Sequence, residues 1–570
     1  MRLKYCFIFL CWFIALFGYS SFLFAKYPST AVQAPLFDNL GSAHREISTK
    51  NQLAQRFFDQ GLVLYYGFEW GESVRSFREA ARLDPSCGMC YWGIALALGS
   101  KINAPVSGHE YRDAKKAIEK AVSLKKNETL AEQGYIHALS LRFQHAPKNI
   151  MGAGSGTFSC HSASGKTDAS SEKELLAYSQ AMNALIIKFP AEDDARALYA
   201  FSLFEIIKWN FWAPDGTINP RTPVIIKALK FLLARNPQHV GANHYFIHAI
   251  ESSPKPEEGL SSADRLKSLV PGSEHLVHMP GHIYYLTGRY QQSTNANLDA
   301  IAAFKLYNKT CLQQGFEPEI NFLYFHNYDF LRTSAMMEGR SKLALATVHE
   351  MLEKPFDIWL VNEAPLQWFI PIPYFVEVRF GLWDAVLTKT EPPLNKYQYA
   401  LGMWHYARGM ALAHTNQVML AKKELASLLK IIQQGPTKLN LEKNGIKLLN
   451  IANAVLTATL ANLDGNEQLT IDQLKKAVKI QYGMRYHEPP DWYFPTKEAL
   501  GSAYLKWNHP SEAVTMFQQV LDQYPKNGWA LYGLAQALQK LGKNEEAEAV
   551  RSEFKNAWKQ ADIPVPVSLF

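Results

Sequence analysis

Five histidines in a short part of the sequence are the residues best suited to chemistry. The chain has 570 residues and 17 histidines, and five of these fall between positions 244 and 282. His244 and His248 are four residues apart, as are His278 and His282, and His275 precedes His278 by three. Residues at these spacings share one face of a helix, so each group can present its imidazoles together.

Acidic residues and a further histidine extend this set. Glu251 follows His248 by three residues, and His326 and Asp329 are also three apart. Imidazole and carboxylate together form a ligand set suited to zinc, copper or iron. We therefore predict a metal site for one ion or a close pair of ions, with Glu251 as a ligand or as a general base. The predicted ligands are His244, His248, Glu251, His275, His278, His282, His326 and Asp329.

The elements that must position these side chains are helices. Helical periodicity recurs along the chain with breaks at Asp-Pro, Tyr-Pro and Asn-Pro, and strand-like alternation is almost absent. Residues 499–554 resemble two tetratricopeptide repeats, and residues 57–99 repeat the pattern. We predict an all-α fold, a right-handed α-solenoid of such helix-turn-helix repeats. The clearest matches to the repeat pattern are Gly501, Tyr504, Ala513, Phe517, Pro525, Ala535, Gly542 and Ala547.

The two histidine pairs are separated by one repeat. The offsets from 244 to 278 and from 248 to 282 are both 34 residues, which is the tetratricopeptide period. The resemblance implies that the first helix of each repeat lines a concave groove. Its groove positions lie one after, three before and six before a conserved small residue. With Gly281 as that residue, His282, His278 and His275 occupy all three positions.

The match is closer than a general repeat pattern. The segments "CGMCYWG", "HLVHMPGHIYYLTGRY" and "FHNYDFL" resemble a family of secreted bacterial tetratricopeptide-repeat proteins with an HMPxHI motif and a CxxCYWG-like helix start. The resemblance spans most of the mature chain and implies no established reaction. The family often has a second histidine in an HNxHF motif, and this chain has Asp329 there.

A pair of cysteines is the second candidate site. Cys87 and Cys90 form a CxxC motif at a predicted helix start, where the helix dipole lowers thiol pKa. A local disulfide, a redox pair and soft-metal ligation with Met89 all remain open. No histidine follows Cys90, which excludes the attachment motif of c-type haem.

The N-terminus and two interruptions suggest how the chain is organised. Residues 1–25 combine a basic head with an apolar run, which predicts a signal peptide or an uncleaved anchor. The protein is therefore expected to be exported, either periplasmic or secreted. We predict a degenerate N-terminal repeat array over 26–390, a flexible Gly/Ser-rich insertion at 151–172, and a C-terminal array over 391–570.

Charge and motifs limit the classes of function. The chain has 59 Lys and Arg against 52 Asp and Glu, and a net charge of +7 spread over this length gives no nucleic-acid track. We predict an exported repeat scaffold whose groove binds a metal, a peptide or protein ligand, or both. The alternatives are a metal-dependent hydrolase or oxidase and an interaction module without metal. Membrane contact is expected only through an uncleaved N-terminal segment.

Overall fold

The computed structural model describes residues 34–99, 101–103, 106–144, 169–319, 323–353, 368–392, 397–435 and 443–564. Residues from Pro35 onward form one compact unit, and Met1–Ala34 form another, of which only Ala34 is described. The predicted leader and most of the insertion at 151–172 lie outside the described residues, so both stay predictions. The end of that insertion is helical, because a helix begins at Ala169.

The predicted all-α class is confirmed. No β-strand occurs in the described ranges, where an isolated bridge joins Trp212 and Ile218. The α-helices are α1 (Gln52–Tyr66), α2 (Trp70–Leu83), α3 (Gly88–Gly99), α4 (Gly108–Leu124), α5 (Leu130–Leu141), α6 (Ala169–Lys188), α7 (Asp193–Ile207), α8 (Thr222–Arg235), α9 (Val240–Ile250), α10 (Leu260–Leu269), α11 (Glu274–His278), α12 (Pro280–Leu286), α13 (Tyr290–Gln313), α14 (Leu323–Met337), α15 (Ser341–Glu353), α16 (Ile372–Arg379), α17 (Trp383–Thr388), α18 (Gln398–His414), α19 (Val418–Gln433), α20 (Lys443–Leu463), α21 (Glu467–Tyr482), α22 (Thr496–Lys506), α23 (Pro510–Gln523), α24 (Gly528–Lys540) and α25 (Asn544–Ala557).

The helices are arranged as stacked pairs. Consecutive helices pack together along most of the chain. Each pair also contacts the next pair; for example, α1 contacts α3 and α22 contacts α24. This arrangement is the α-solenoid that the repeats predict. The predicted right-handedness of the superhelix stays a prediction.

An aromatic ring packed between two glycines recurs at the two ends of the array. Phe77 lies against Gly61 and Gly93, and a Cβ added at Gly93 would be 2.3 Å from the Phe77 ring. Phe517 lies in the same way against Gly501 and Gly533, with the same 2.3 Å approach at Gly533. The positions 61, 77 and 93 have the same spacing as 501, 517 and 533. Glycine is required here because a side chain would occupy the space of the ring.

The C-terminal repeats pack on the middle of the chain. One apolar cluster joins Tyr285, Phe330 and Met337 to Phe517 and Tyr524. A second cluster extends from Ile301 to Trp558 and so includes residues on both sides of position 390. The division into arrays at 390 stays a prediction. The packing nevertheless brings helices after residue 496 onto the helices that carry the histidines.

One helix has the length and composition of a membrane span. Among the described residues, Asn444–Leu463 is long and apolar enough to cross a membrane, and most of it is buried inside the protein. Leu449, Ala452 and Leu456 belong to the larger apolar cluster. Packing in the core therefore accounts for the apolar character of this helix.

Candidate metal centre

Three parts of the fold bring the histidines together. His244 and His248 lie on α9, which begins after His239, whose Nδ1 accepts a hydrogen bond from the backbone N–H of Ala242. His275 and His278 lie on α11, and His282 lies on α12. These two short helices are separated at Met279 because Pro280 has no N–H with which to continue α11. His326 comes from α14.

His244, His248 and His275 form the first of two clusters, which we call the first triad. One ligand nitrogen from each ring lies within 4.8 Å of the other two. The Nε2 atoms of His244 and His275 are 3.2 Å apart. The HxxxH pair of one repeat is thus completed by a histidine from the next repeat.

His278, His282 and His326 form the second triad under the same criterion. The Nε2 atoms of His278 and His282 are 2.8 Å apart, and those of His282 and His326 are 3.5 Å apart. The two triads are neighbours, because the ring centroids of His275 and His278 are separated by 5.9 Å. All six predicted histidines therefore converge, as two sets of three.

The outer nitrogens of two of these rings are fixed by hydrogen bonds. His244 Nδ1 is 2.5 Å from the backbone carbonyl oxygen of Tyr66, which can only accept. His278 Nδ1 is 2.6 Å from Asn297 Oδ1, while Asn297 Nδ2 donates to the Ser293 carbonyl oxygen. Each Nδ1 consequently carries the proton, and each Nε2 presents a lone pair toward its triad.

Glu251 connects the two triads. Its Oε1 is 2.8 Å from His248 Nδ1, and its Oε2 is 2.7 Å from His282 Nδ1. The first contact is a hydrogen bond from His248 Nδ1, which fixes the tautomer of His248, and the second is at ion-pair distance. Carboxylate-to-histidine contacts of this kind orient metal-bound imidazoles and increase their basicity.

The donor geometry fits metal ions. Two nitrogens bound to one ion at about 2.0–2.1 Å in a tetrahedral arrangement lie about 3.3 Å apart. The Nε2 separations of 2.8, 3.2 and 3.5 Å are close to this value. The short contact between His278 Nε2 and His282 Nε2 suits either a hydrogen bond between the rings or two ligands of one ion. An ion in each triad would be held by three imidazoles.

Burial favours the neutral form, which binds metals, for four of the histidines. The six side chains are at most 7% exposed. Burial lowers the pKa of His244, His275 and His278 well below the ordinary value, and it also lowers the pKa of His282 despite Glu251. A groove lining would leave these rings accessible, so their position differs from the one expected from the repeat register.

Aromatic rings close the site on two sides. The Phe68 ring is 4.5 Å from His244 and stacks on His248 at 5.8 Å. The Phe330 ring is 4.6 Å from His282 and 5.1 Å from His278. These apolar walls lower the local dielectric and exclude water, which strengthens electrostatic interactions with a bound ion.

Asp329 is not a member of either triad. Its Oδ1 accepts a hydrogen bond of 3.1 Å from Arg332 Nε and also forms an ion pair with Arg332 Nη2. His326 and Asp329 are three residues apart, and so are Asp329 and Arg332. The spacing that predicts Asp329 as a metal ligand therefore also allows it to pair with Arg332 on its own helix.

Cys87 and Cys90 form a disulfide at the start of α3. Of the three alternatives left open by the sequence, the local disulfide is the one present. Both sulfurs are buried, and in this state they provide no thiolate for a metal.

Tyr66, Phe68 and Asn297 are site residues that the sequence did not predict. Tyr66 ends α1 and Phe68 lies in the turn after it. Both are far from the histidines in sequence, and no local pattern indicates them. Asn297 carries a usable signal, because it follows Gly281 by the same interval that separates Phe77 from Gly61. The repeat thus places asparagine where a core phenylalanine is expected.

A family model described as a tetratricopeptide repeat matches residues 505–551. No curated protein sequence matches the chain. Among solved structures, a human IFIT1 dimer with m7Gppp-AAAA is 12% identical, with 89% of this chain and 90% of that chain covered and a TM-score of 0.30. Yeast Tom70 is 13% identical, with coverage of 88% and 90% and a TM-score of 0.27.

The TPR domain of P58(IPK) is 11% identical, with 86% of this chain and 99% of that chain covered and a TM-score of 0.21. At these identities and TM-scores the likenesses bear on neither the site nor its ligand. The stacked helix pairs and the matched segment together identify an all-α helical-repeat protein that contains a tetratricopeptide repeat in its C-terminal part.

Proposed function

We propose that the protein binds two transition-metal ions, one in each histidine triad. The observation that carries this proposal is the direction of the ring nitrogens. In four of the six histidines, Nδ1 lies within 2.8 Å of a carbonyl, amide or carboxylate oxygen. The Nε2 atoms of these rings therefore face the triads. A core built only for packing has no need of such uniform orientation.

The ligand set favours copper over zinc or iron. The six imidazoles lie with one carboxylate, Glu251, so two divalent ions would leave a large uncompensated charge in a buried site. Copper can reduce this charge because it is also stable as a monovalent ion, and copper(II) binds nitrogen ligands more tightly than zinc does. Three protein ligands leave each ion able to bind a further small molecule.

Elemental analysis of the purified full chain tests the proposal. We expect about two equivalents of metal after loading with copper, zinc or iron(II) separately and dialysis, with copper retained in competition. The double variant His248→Ala/His282→Ala removes one ligand from each triad and should lose most of it. His109→Ala, at an exposed position, is the matched control. Failure of every metal to bind stoichiometrically would refute the proposal.

The proposed setting is outside the cytoplasm. Residues 1–25 provide the only support, since they have the composition of a signal peptide or an uncleaved anchor. Fractionation of cells expressing the full chain, with and without residues 1–25, tests this. Export should depend on that segment, and equal recovery of both forms from the cytoplasm would contradict it.

An enzyme is the natural extension of a metal centre with open coordination positions. Oxidation is better supported than hydrolysis, because each oxygen of Glu251 is within 2.8 Å of a histidine Nδ1, and Glu251 is therefore poorly placed as a general base. Glu251 is therefore proposed as a positioning residue. Oxygen consumption by the copper-loaded protein with a phenolic reductant, compared with the double variant, distinguishes catalysis from metal storage.

Binding of a peptide or protein is the second candidate function. A cleft of about 1800 Å³ opens beside α1, α5, α7 and α9. Its charged lining residues include Arg45, Asp59, Asp194 and His239. Fluorescence anisotropy with pools of labelled acidic and basic peptides tests this function, and Arg45→Ala should weaken any binding. No saturable binding by either pool would argue against it.

A further inference from the structure

A separate cavity lies beside the metal centre. Its volume is about 330 Å³, at the small end of the range for ligand pockets. Three stretches of chain provide most of its walls, the turns at 212–216 and 252–254 and the segment 481–492. Leu286, Gln523 and Tyr524 complete the lining. The cavity thus lies where the C-terminal repeats meet the histidine-bearing helices.

The cavity lies next to the second triad. Ser252 follows Glu251 in the chain, and Leu286 is one helical turn beyond His282. The charge of His487, a lining residue, contributes to lowering the pKa of His282, and Glu251 contributes to raising the pKa of Glu488. A molecule in the cavity would therefore be close to the metal centre.

The walls are mainly aromatic. Trp212, Tyr482, Trp492 and Tyr524 all line the cavity, and Trp492 is only 2% exposed. Such walls favour a flat ring, which can stack or pack edge-to-face against them.

Polar atoms without partners in the described residues belong to the same lining. They are Glu488 Oε1, the hydroxyl of Tyr482 and the indole nitrogen of Trp492, all buried. Leaving a buried polar atom without a hydrogen bond costs about 1–3 kcal/mol, so each favours a ligand that can satisfy it. A hydroxyl group can both donate to Glu488 and accept from Tyr482 or Trp492.

The charges in the cavity offset one another. Its lining includes a cation, Arg485, and a carboxylate, Asp491, whose Oδ1 is 3.0 Å from His487 Nδ1. Glu488 is 1% exposed, and burial raises its pKa well above the ordinary value, which favours the uncharged carboxyl group. An uncharged ligand therefore fits the cavity better than an ion does.

We infer that this cavity binds a small uncharged aromatic molecule with a hydroxyl group, such as a phenol. Its ring packs among the four aromatic side chains, and its hydroxyl group satisfies Glu488. Binding itself does not depend on the metal. The further statement that this molecule is the substrate of the metal centre rests on the proposed function.

Calorimetric titration of the metal-free full chain with phenol tests the inference, with tryptophan fluorescence as a second signal. We expect saturable binding with a Kd of about 1 mM or tighter, which is reasonable for a ligand of this size. Glu488→Met should weaken binding at least about tenfold, since the hydrogen bond to the ligand's hydroxyl group is lost. Glu488→Gln, which keeps a donor and an acceptor, should stay within about threefold.

A second variant guards against misfolding. Ser253→Trp fills the cavity from a partly exposed position and should abolish phenol binding while far-UV circular dichroism and the thermal midpoint stay unchanged. The exposed-site variant Glu119→Gln is the control. Absence of phenol binding, or unchanged binding by Glu488→Met and Ser253→Trp, would overturn the inference. Metal analysis of the same samples shows separately whether the metal centre forms.

Discussion

At the scale of single residues, Glu251 is the group on which both triads depend. It is 2% exposed, and each of its two oxygens contacts a histidine of a different triad. Removing its charge should reduce the basicity and the order of both rings. We predict that Glu251→Gln binds metal about 10–100-fold more weakly than the unaltered chain.

Competition with a chromophoric chelator measures this loss. Glu119→Gln removes a carboxylate from an exposed position and should leave the affinity unchanged. Equal affinities for Glu251→Gln and the unaltered chain would mean that Glu251 does not support the metal ligands.

Asn297 gives a test that is confined to the second triad. Its Oδ1 accepts from His278 Nδ1, and the side chain is fully buried. We predict that Asn297→Leu lowers the affinity of one of two metal equivalents about tenfold, because His278 loses its orienting acceptor. Asn297→Asp keeps an acceptor and should retain both equivalents. Isothermal titration calorimetry resolves the two steps, and a uniform loss in Asn297→Leu would contradict the assignment.

The buried histidines also give the metal-free protein a characteristic pH dependence. Burial lowers the pKa of His244, His275 and His278 below the ordinary value of 6.5. As pH falls below 6.5, the unfolded chain takes up protons on these residues and the folded chain does not. The free energy of unfolding should therefore decrease by up to about 1.4 kcal/mol per pH unit for each histidine, and remain constant above that range.

Urea denaturation of the metal-free chain between pH 7.5 and 5 checks this slope. His278→Asn should reduce the slope, and His109→Ala should not, because His109 is exposed. A slope that is the same for all three proteins would show that these histidines do not titrate as described.

At the scale of helices, much of the site was predictable. The interval between "NHYFIHAIE" and "EHLVHMPGH" places two histidine pairs on neighbouring repeats, and His326 joins them as predicted. The division into two triads was not predictable, because His275 combines with the preceding repeat. His275 lies on α11, which ends before Pro280, and His282 lies on α12. Asp329 was misplaced because its pairing with Arg332 satisfies the same spacing.

The packing of an aromatic ring between glycines gives the prediction at this scale. Phe517 is 1% exposed and fills the space between Gly501 and Gly533. Phe517→Ala should lower the free energy of unfolding by about 3–5 kcal/mol, because the lost contacts leave a cavity. Met419→Ala, at a position that is 71% exposed, should change it by less than about 0.5 kcal/mol.

Urea denaturation followed by circular dichroism measures both variants. The glycines cannot adapt to the shorter side chain, so partial filling of the cavity is not expected. A change below about 1 kcal/mol for Phe517→Ala would show that this ring does not stabilise the repeat.

At the scale of the whole molecule, burial of the two histidine triads is the property that the sequence could not predict. The pattern of single repeats predicts that the histidines lie on an accessible concave face. In the structure, Phe330 packs with Phe517 and Tyr524, so repeats that are distant in sequence cover the histidine helices. This long-range contact depends on the summed curvature of many repeats, and no single segment encodes it.

Metal binding at a buried centre should stabilise the entire chain. The ligands come from α9, α11, α12 and α14, and they cannot hold an ion once these helices separate. At a free metal concentration 100-fold above the Kd, the free energy of unfolding should rise by about 2.7 kcal/mol for each site.

Urea denaturation with and without metal measures this gain. The double variant His248→Ala/His282→Ala should show none, whereas His109→Ala should gain as much as the unaltered chain. Equal stabilisation of the double variant would locate the responsible ions elsewhere on the protein.

If the protein binds two ions as proposed, the single carboxylate between the triads implies that they bind in sequence. Glu251 can offset about one positive charge, and an ion in the first triad uses much of this compensation through His248. The second ion then enters beside an existing charge at His282 and binds more weakly. The half-occupied protein is therefore a distinct species over a range of metal concentration, and the occupancy of the second triad would report how much metal the surroundings supply.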